Sequence, residues 1–455
     1  MKSHIKLMTQ GPIAKAIFTF AIPIFLSNLF QQLYNIVDAI VVGNYVGKEA
    51  LAAITSIGPF TFLLVGFFNG IFIGAGVVIS KYFGAQDYHN VHQAIHTSCA
   101  LAIVFSIFFT LFGYLITPRV LSLMQTPPSV YALANTYTKT YMLGMTALIF
   151  YNMSTGILQA FGDSKNPLYF LMVGTILNII LDLVLVGKLG YGIRGAVYAT
   201  VISEYITAIL ATTVLIRTHE IYKINLKEIK FNKRILLQLL HIGVPSGLQN
   251  SIISISNIFI QGSINTFGAI AMAGNGAYLR IEGFVFLPIA SFAMAITTFI
   301  GQNIGASQYN RVKRGVHFSV IFSLLLCESF GFFLYFMIPS LMTWFTKDPA
   351  VIAVGVEKAH ITCFFFFLLA FSHVMAGVFR GAGKAIVPML VMLFFWCFVR
   401  VIYVSIILIY FPHIQQIFWA YPITWMLSTI AFIIYYFKAH WLNEPKELNT
   451  LELNH

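Results

Sequence analysis

Five acidic residues stand inside long apolar runs of the chain: Asp38, Asp182, Glu204, Glu282 and Glu328. A charge at bilayer depth costs at least about 2.5 kcal/mol, so such groups mark ion or substrate paths. Asn178 precedes Asp182 by four residues and shares its helical face. Thr200 enters from the next apolar run at a similar depth, and Glu204 lies one turn deeper on the face of Thr200. Two carboxylates, an amide oxygen and a hydroxyl that converge in a low dielectric can coordinate a hard monovalent cation or share a proton. The bland alternative is that each acid bonds a neighbouring helix, and for Glu328, which is alone in its run, the two stand level.

The elements that must position these groups are membrane spans. Apolar residues make up 58% of the 455 and charged residues only 9%, a balance that water alone does not support. Runs of roughly 20 apolar residues, each able to cross about 30 Å of hydrocarbon, recur along the chain. They fall near 15–42, 54–80, 93–116, 134–160, 167–187, 193–216, 236–262, 271–300, 315–338, 355–380, 387–410 and 417–438. Twelve spans put both termini on one side. Of the 27 Lys and Arg, the opposite side holds only Lys48, Arg119, Lys139, Lys188, Arg194, Lys347 and Lys358. Arg280 and Arg400 lie within spans, and the other eighteen, among them Lys2, Lys6, Lys15, Lys81 and Lys446, mark the side of the termini as cytoplasmic. The net charge of +12 is then a topology signal, and nucleic-acid binding is not implied. Asp38 and Asp182 come out in the outer halves of spans 1 and 5, at matching depth.

The chain repeats itself at an offset of 221 to 222 residues. AIPIFLSNLFQQLYNIVD sets Pro23, Leu26, Asn28 and Asn35 where GVPSGLQNSIISISNIFI sets Pro245, Leu248, Asn250 and Asn257. Beyond the second span of each half, SKYFGAQDYHNVHQAIHTS matches GQNIGASQYNRVKRGVHFS without a gap, and GILQAFGDSKNP later matches GVFRGAGKAIVP. Six spans per half insert with the same orientation, so the halves are related by a pseudo-twofold axis along the membrane normal. The expected architecture is an all-α integral membrane protein of about twelve transmembrane helices, in two homologous six-helix lobes around a central cavity. Residues 1–216 form the N-lobe, 217–234 a cytoplasmic interlobe linker, and 235–455 the C-lobe with a short cytoplasmic tail.

The acids are not duplicated: Asp38 falls on Ile260 and Asp182 on Tyr403. Pro23 and Pro245 leave a carbonyl without its usual partner early in the first helix of each half and permit a kink. Cys99, Cys327, Cys363 and Cys397 sit in apolar spans without ligand spacing and read as packing residues, so neither a disulfide nor a metal site is expected from them. The first apolar run is too long for a cleaved signal and is expected to stay attached. No GxxxxGK[ST] segment is present, which points away from a built-in ATPase and towards transport on an ion gradient, not towards an enzyme.

AIPIFLSNLFQQLYNIVDAIVVGNYVG, the paired GA turns, QAFGDSKNP with RGAGKAIVP, and NIILD resemble the multidrug and toxic compound extrusion (MATE) family over residues 10–440. The resemblance implies twelve helices in two lobes, in the cytoplasmic membrane. It further implies export of cationic or amphipathic small molecules in exchange for Na+ or H+, with no cofactor, and a monomer that confers drug resistance. By position, Asp38, Asn178, Asp182 and Thr200 match the family's N-lobe cation site, with Glu204 beside it, and Pro23 the proline at which its first helix is held to bend. Family members with acids on the seventh and tenth helices carry a C-lobe cation site. Gln249 and His373 stand on those helices here. Arg400 and an Arg280–Glu282 pair are expected to organise the C-lobe internally, with a role towards substrate as the alternative. A lipid-linked oligosaccharide flippase of the same superfamily and a channel or non-transporting membrane protein are the competing functions; the former commonly has fourteen helices and a strongly cationic cavity.

The charge asymmetry yields a direct test of topology. A cysteine placed between Arg217 and Arg234 is expected to resist an impermeant thiol reagent in intact cells. Labelling at the rate of an outer-loop control would contradict that topology.

Overall fold

The structure is a computed structural model that describes residues 7–47, 49–50, 53–54, 57–124 and 126–442; Lys2, Lys6, Lys48 and Lys446 lie outside the described residues. The described chain is helical and contains no strand. The first half consists of α1 (Ile13–Tyr45), α2 (Gly58–Gly84), α3 (Tyr88–Leu123), α4 (Pro128–Ala160), α5 (Lys165–Lys188) and α6 (Gly192–Arg217). The second consists of α7 (Lys233–Asn265), α8 (Ala269–Gly305), α9 (Tyr309–Met342), α10 (Pro349–Gly381), α11 (Ile386–Tyr410) and α12 (Ile414–Lys438). Helices are the natural outcome in hydrocarbon, where every backbone N–H and C=O must find its partner within its own segment.

Eleven of these helices are long and apolar enough to cross a membrane, so the protein is a multi-pass membrane protein. The exception is α7, interrupted by Ser246, Gln249, Asn250, Ser251, Ser254 and Ser256. The serines among them find partners in protein. Ser251 Oγ donates to the Leu63 carbonyl of α2 at 2.9 Å, and Ser256 Oγ to the Trp396 carbonyl of α11 at 2.9 Å. Ser246 Oγ turns back to the Ile242 carbonyl at 2.8 Å. Small and hydroxylated residues of this kind hold helices together where lipid offers no hydrophobic drive.

The two halves meet along α2–α7 and α1–α8. The repeated asparagines serve equivalent ends: Asn28 Nδ2 donates to Ser291 Oγ on α8 at 3.1 Å, and Asn250 Nδ2 to the Gly66 carbonyl on α2 at 3.4 Å. Close approach depends on glycine. A Cβ on Gly70 would lie 2.1 Å from the Gly247 nitrogen, and one on Gly74 2.4 Å from the Gly243 nitrogen. At the end that carries the N-terminus, the duplicated GA turns interlock. A Cβ on Gly84 would lie 1.9 Å from the Gln302 carbonyl, and one on Gly305 2.0 Å from the Lys81 carbonyl. Gln302 completes the seal, accepting from Met8 N–H at 2.8 Å and donating to the Ala160 carbonyl of α4 at 2.8 Å. Nearer the other ends of α7 and α8, a Cβ on Gly262 or Gly276 would have nothing within 4 Å. A cavity of about 40 Å³ lies between the halves, lined by Asn69, Asn152, Gln159, Met294 and Thr298 among others.

The segment that joins the halves is docked on α3. Asn225 N–H donates to His96 Nε2 at 3.0 Å, Asn232 Nδ2 to Gln93 Oε1 at 2.6 Å, and His92 Nε2 lies 3.0 Å from Glu228. All four cysteines are free; Cys99, Cys327 and Cys363 are buried among packing residues. Pro23 and Pro245 lie within helices that continue unbroken through them.

The interlocked glycines predict a conformational bias. Gly84→Ala or Gly305→Ala should force the helix ends apart, at a cost of about 1–3 kcal/mol to this arrangement. Spin labels at exposed Tyr88 and Asn310 would report a longer mean distance in either variant. An unchanged distance distribution would contradict the assignment of this contact as the closed end.

Candidate functional site

The polar cluster of the first half is assembled from α1, α5 and α6. The face of α1 that meets α5 carries Asp38, 8% exposed, and α5 presents Asp182 and Asn178, both at 0%. The two carboxyl groups face one another. Thr200 of α6 is buried beside them and donates to its own helix through the Ala196 carbonyl at 3.1 Å. Its oxygen in turn accepts from the Tyr34 hydroxyl at 3.1 Å. Tyr34 precedes Asp38 by four residues and so shares its face. Tyr137 of α4, stacked on Tyr141 at 6.3 Å between ring centroids, closes the cluster and lies within electrostatic reach of Asp38, Asp182 and Glu204. Glu204, half-buried on α6, faces Gly144: a Cβ there would sit 2.9 Å from its carboxyl oxygen.

The cluster leaves several of its polar atoms unpaired. Asp38 Oδ1, both carboxyl oxygens of Asp182 and both amide atoms of Asn178 are buried with no ordinary hydrogen bond. Each such group costs about 1–3 kcal/mol, and more where it is charged. A short segment of π-helix, Leu183–Lys188, begins directly after Asp182. π-Turns of this kind are rare and concentrate at functional positions. Asp38 and Asp182 face one another, and Asn178, one turn before Asp182, and buried Thr200 add oxygens of the kind that suits a hard monovalent cation.

The second half is organised differently. Ile260 and Tyr403 occupy the positions equivalent to Asp38 and Asp182, and Ile260 is packed in an apolar cluster. Its polar centre is basic. Arg400, 2% exposed, donates from Nε and Nη2 to Thr424 Oγ1 at 3.2 and 2.9 Å and lies over the Trp396 and Tyr421 rings. It follows directly on a second π-helical segment, Leu393–Val399. Lys358, 0% exposed, donates to Asn275 Oδ1 at 2.7 Å. Glu282 is within electrostatic reach of both cations and accepts a long bond from Tyr278 Oη at 3.5 Å.

Several sequence expectations change here. Lys358, counted among the outer-loop bases, is fully buried, because α10 begins at Pro349 and carries it into the helix interior. Arg280 and Glu282 form no pair: residues two apart lie on different helix faces, and Arg280 is exposed while Glu282 turns inward. Glu328 stands apart from both clusters. It accepts from Phe367 N–H at 3.4 Å, just past a 3-10 turn, Cys363–Phe365, that frees this donor. Gln249 Nε2 contacts Met392 Sδ at 2.8 Å and the His373 ring packs edge-on to Phe286 and Trp396, while Gln249 Oε1 and His373 Nε2 are buried without a hydrogen-bond partner. Tyr34, Tyr137 and Lys358 escaped sequence reasoning. The i, i+4 spacing of Tyr34 and Asp38 was the available signal for the first, and a lysine bordered by apolar residues for the last.

A duplicated, multi-helix membrane scaffold with an unpaired acidic cluster in one half and a basic one in the other defines the class. The MatE family model matches residues 23–184 and again 245–411, once in each half, and the chain belongs to this family. It is 26% identical over 393 residues to the probable multidrug resistance protein YoeA of Bacillus subtilis, covering 85% of each chain. It is 22% identical over 378 residues to the multidrug export protein MepA of Staphylococcus aureus, covering 82% of this chain and 83% of that one. Among solved structures it is similar to an outward-facing multidrug resistance MATE family transporter of the MOP superfamily. There the TM-score is 0.89 at 22% identity, with 96% of this chain and 97% of that chain covered.

The unpaired oxygens predict a stability effect. Asp38→Asn or Asp182→Asn retains shape and removes charge, and should stabilise the purified protein in Na+-free buffer by about 1–3 kcal/mol. Thermal unfolding in detergent at neutral pH would check this, and a lower midpoint for both variants would contradict it.

Proposed function

We propose that the protein is a secondary active multidrug efflux transporter of the cytoplasmic membrane. It exchanges cationic or amphipathic compounds for Na+ or H+ by alternating access of its two lobes. The observation that carries this reading is the set of buried, unpaired oxygens on Asp38, Asp182 and Asn178, a site that stays costly until a cation or proton enters it. The multidrug resistance and export names of the relatives support the substrate class.

In this reading residues up to 216 act as the N-lobe, 217–234 as the linker and 235 onwards as the C-lobe. The excess of Lys and Arg in the loops on their side supports a cytoplasmic location for both termini and the linker. The end sealed by Gly84, Gly305 and Gln302 is then the cytoplasmic one, and the conformation is open outwards. Entry of the coupling ion from outside neutralises the Asp38–Asp182 pair and lowers the cost of packing α1 against α5. Because α1 also bonds α8 through Asn28 and Ser291, a change in its packing is transmitted to the other lobe. Asn178 and Thr200 add oxygens that a metal cation uses and a proton does not.

The test is export of a cationic dye from proteoliposomes under an imposed Na+ or pH gradient. Asp38→Asn and Asp182→Asn should each abolish gradient-driven export while the variant proteins remain folded in the membrane. Wild-type export by both would refute the site. Flux of the dye in the wild type without any imposed gradient would favour a channel.

A further inference from the structure

The second lobe contains a cage whose chemistry is that of an ammonium site. The Lys358 Nζ lies 5.1 Å from the Tyr278 ring centroid, 4.8 Å from that of Tyr421 and 5.7 Å from that of Phe418. Its single hydrogen bond is to the amide oxygen of Asn275, at 2.7 Å. The negative faces of aromatic rings together with an amide oxygen are how proteins recognise alkylammonium groups. The occupant here is an ammonium that belongs to the chain itself.

The location of the cage matters as much as its lining. At the 221-residue offset of the repeat, Lys358 falls on Tyr137 and Tyr421 on Thr200, two residues that line the acidic cluster of the first lobe. Depth agrees as well. Asp38, Asp182 and Thr200 lie six to eight residues from the ends of their helices, Tyr45, Lys188 and Gly192. Lys358, Arg400 and Tyr421 lie seven to ten from Pro349, Tyr410 and Ile414. Both sets are thus about 10–15 Å in from the same side. One position in the duplicated scaffold holds unpaired oxygens in one lobe and a caged cation in the other.

We propose that Lys358 is a tethered cation. It fills permanently, in the C-lobe, the place that a mobile cation takes in the N-lobe, so the C-lobe is loaded in every state and draws no cation from solution. The proposal rests on the N-lobe reading given under Proposed function for the word mobile; the cage itself does not. Arg400 shares the Tyr421 ring at 4.6 Å and adds to the fixed positive charge, while Glu282 balances part of it. Among the described residues neither base forms an ion pair, so the charge is held by rings, an amide and a hydroxyl.

Chemical rescue tests the cage without recourse to transport. Lys358→Ala removes the propylammonium portion of the side chain. In purified Lys358→Ala protein, millimolar n-propylammonium should raise the thermal midpoint by several degrees. n-Propanol at the same concentration should not, and neither should affect the wild type beyond its buffer control. Equal stabilisation by n-propanol would mean that only a void was filled, and absence of any effect would mean that no cation is required; either overturns the proposal. Lys358→Met keeps the bulk without the charge, and export by it should fall about tenfold or more, the scale of a desolvated cation–π contact. Wild-type export by Lys358→Met would also overturn it. If propylammonium rescues Lys358→Ala while Asp38→Asn and Asp182→Asn still export normally, the N-lobe reading fails and the cage stands.

Discussion

In hydrocarbon a polar group finds its partner within the protein or not at all, and the remaining features of this structure follow from that constraint. It makes the described chain helical throughout. It explains why α7, the least apolar of the twelve helices, runs between α2 and α11, where Ser251 and Ser256 reach carbonyl oxygens of its neighbours. It also gives weight to the exceptions. An unpaired carboxylate at a wet surface means little, whereas the oxygens of Asp182 are unpaired at 0% exposure, where a charge would be costly.

Duplication supplies the frame, and divergence within it supplies direction. Some of the repeated residues that stayed identical join the halves: Asn28 and Asn250 bridge between lobes, and Gly84 and Gly305 permit backbone to meet backbone. Gly162 and Gly383 stay because both turns need a left-handed backbone, with φ of 78° and 81°. The acidic positions diverged. Asp38 and Asp182 in one lobe become Ile260 and Tyr403 in the other, while Tyr137 becomes Lys358. The duplicated scaffold thus carries acids in one lobe and bases in the other at one depth.

The two kinds of position are mechanically connected. Helix α1 carries Asp38 on its α5 face and Asn28 towards α8, so packing inside the first lobe and contact between lobes share one rigid element. The π-helical turns beside Asp182 and Arg400 loosen α5 and α11 at the charged residue itself. Under the proposed function, charge neutralisation in the N-lobe acts on the interface through α1, and the interlocked glycines keep the opposite end shut meanwhile.

Membrane class, span number, internal duplication and the pairing of Asp38 with Asp182 were legible in the linear chain, because hydropathy and repeat register are properties of segments and need no knowledge of packing. Helical spacing and depth also put Asn178 and Thr200 forward as candidates beside them. Faces were not legible. Arg280 and Glu282 are near in sequence and apart on the helix, and Glu328 is an intramembrane acid whose partner, the Phe367 N–H, exists only because α10 breaks at a 3-10 turn. Tyr34 and Tyr137 are two among 22 tyrosines until the packing of α1, α4 and α6 selects them. Lys358 borders an apolar run and resembles a loop base. Only the length of α10, and the convergence of Tyr278, Phe418 and Tyr421 from two other helices, turn it into a buried charge, since a cage exists only where separate segments meet.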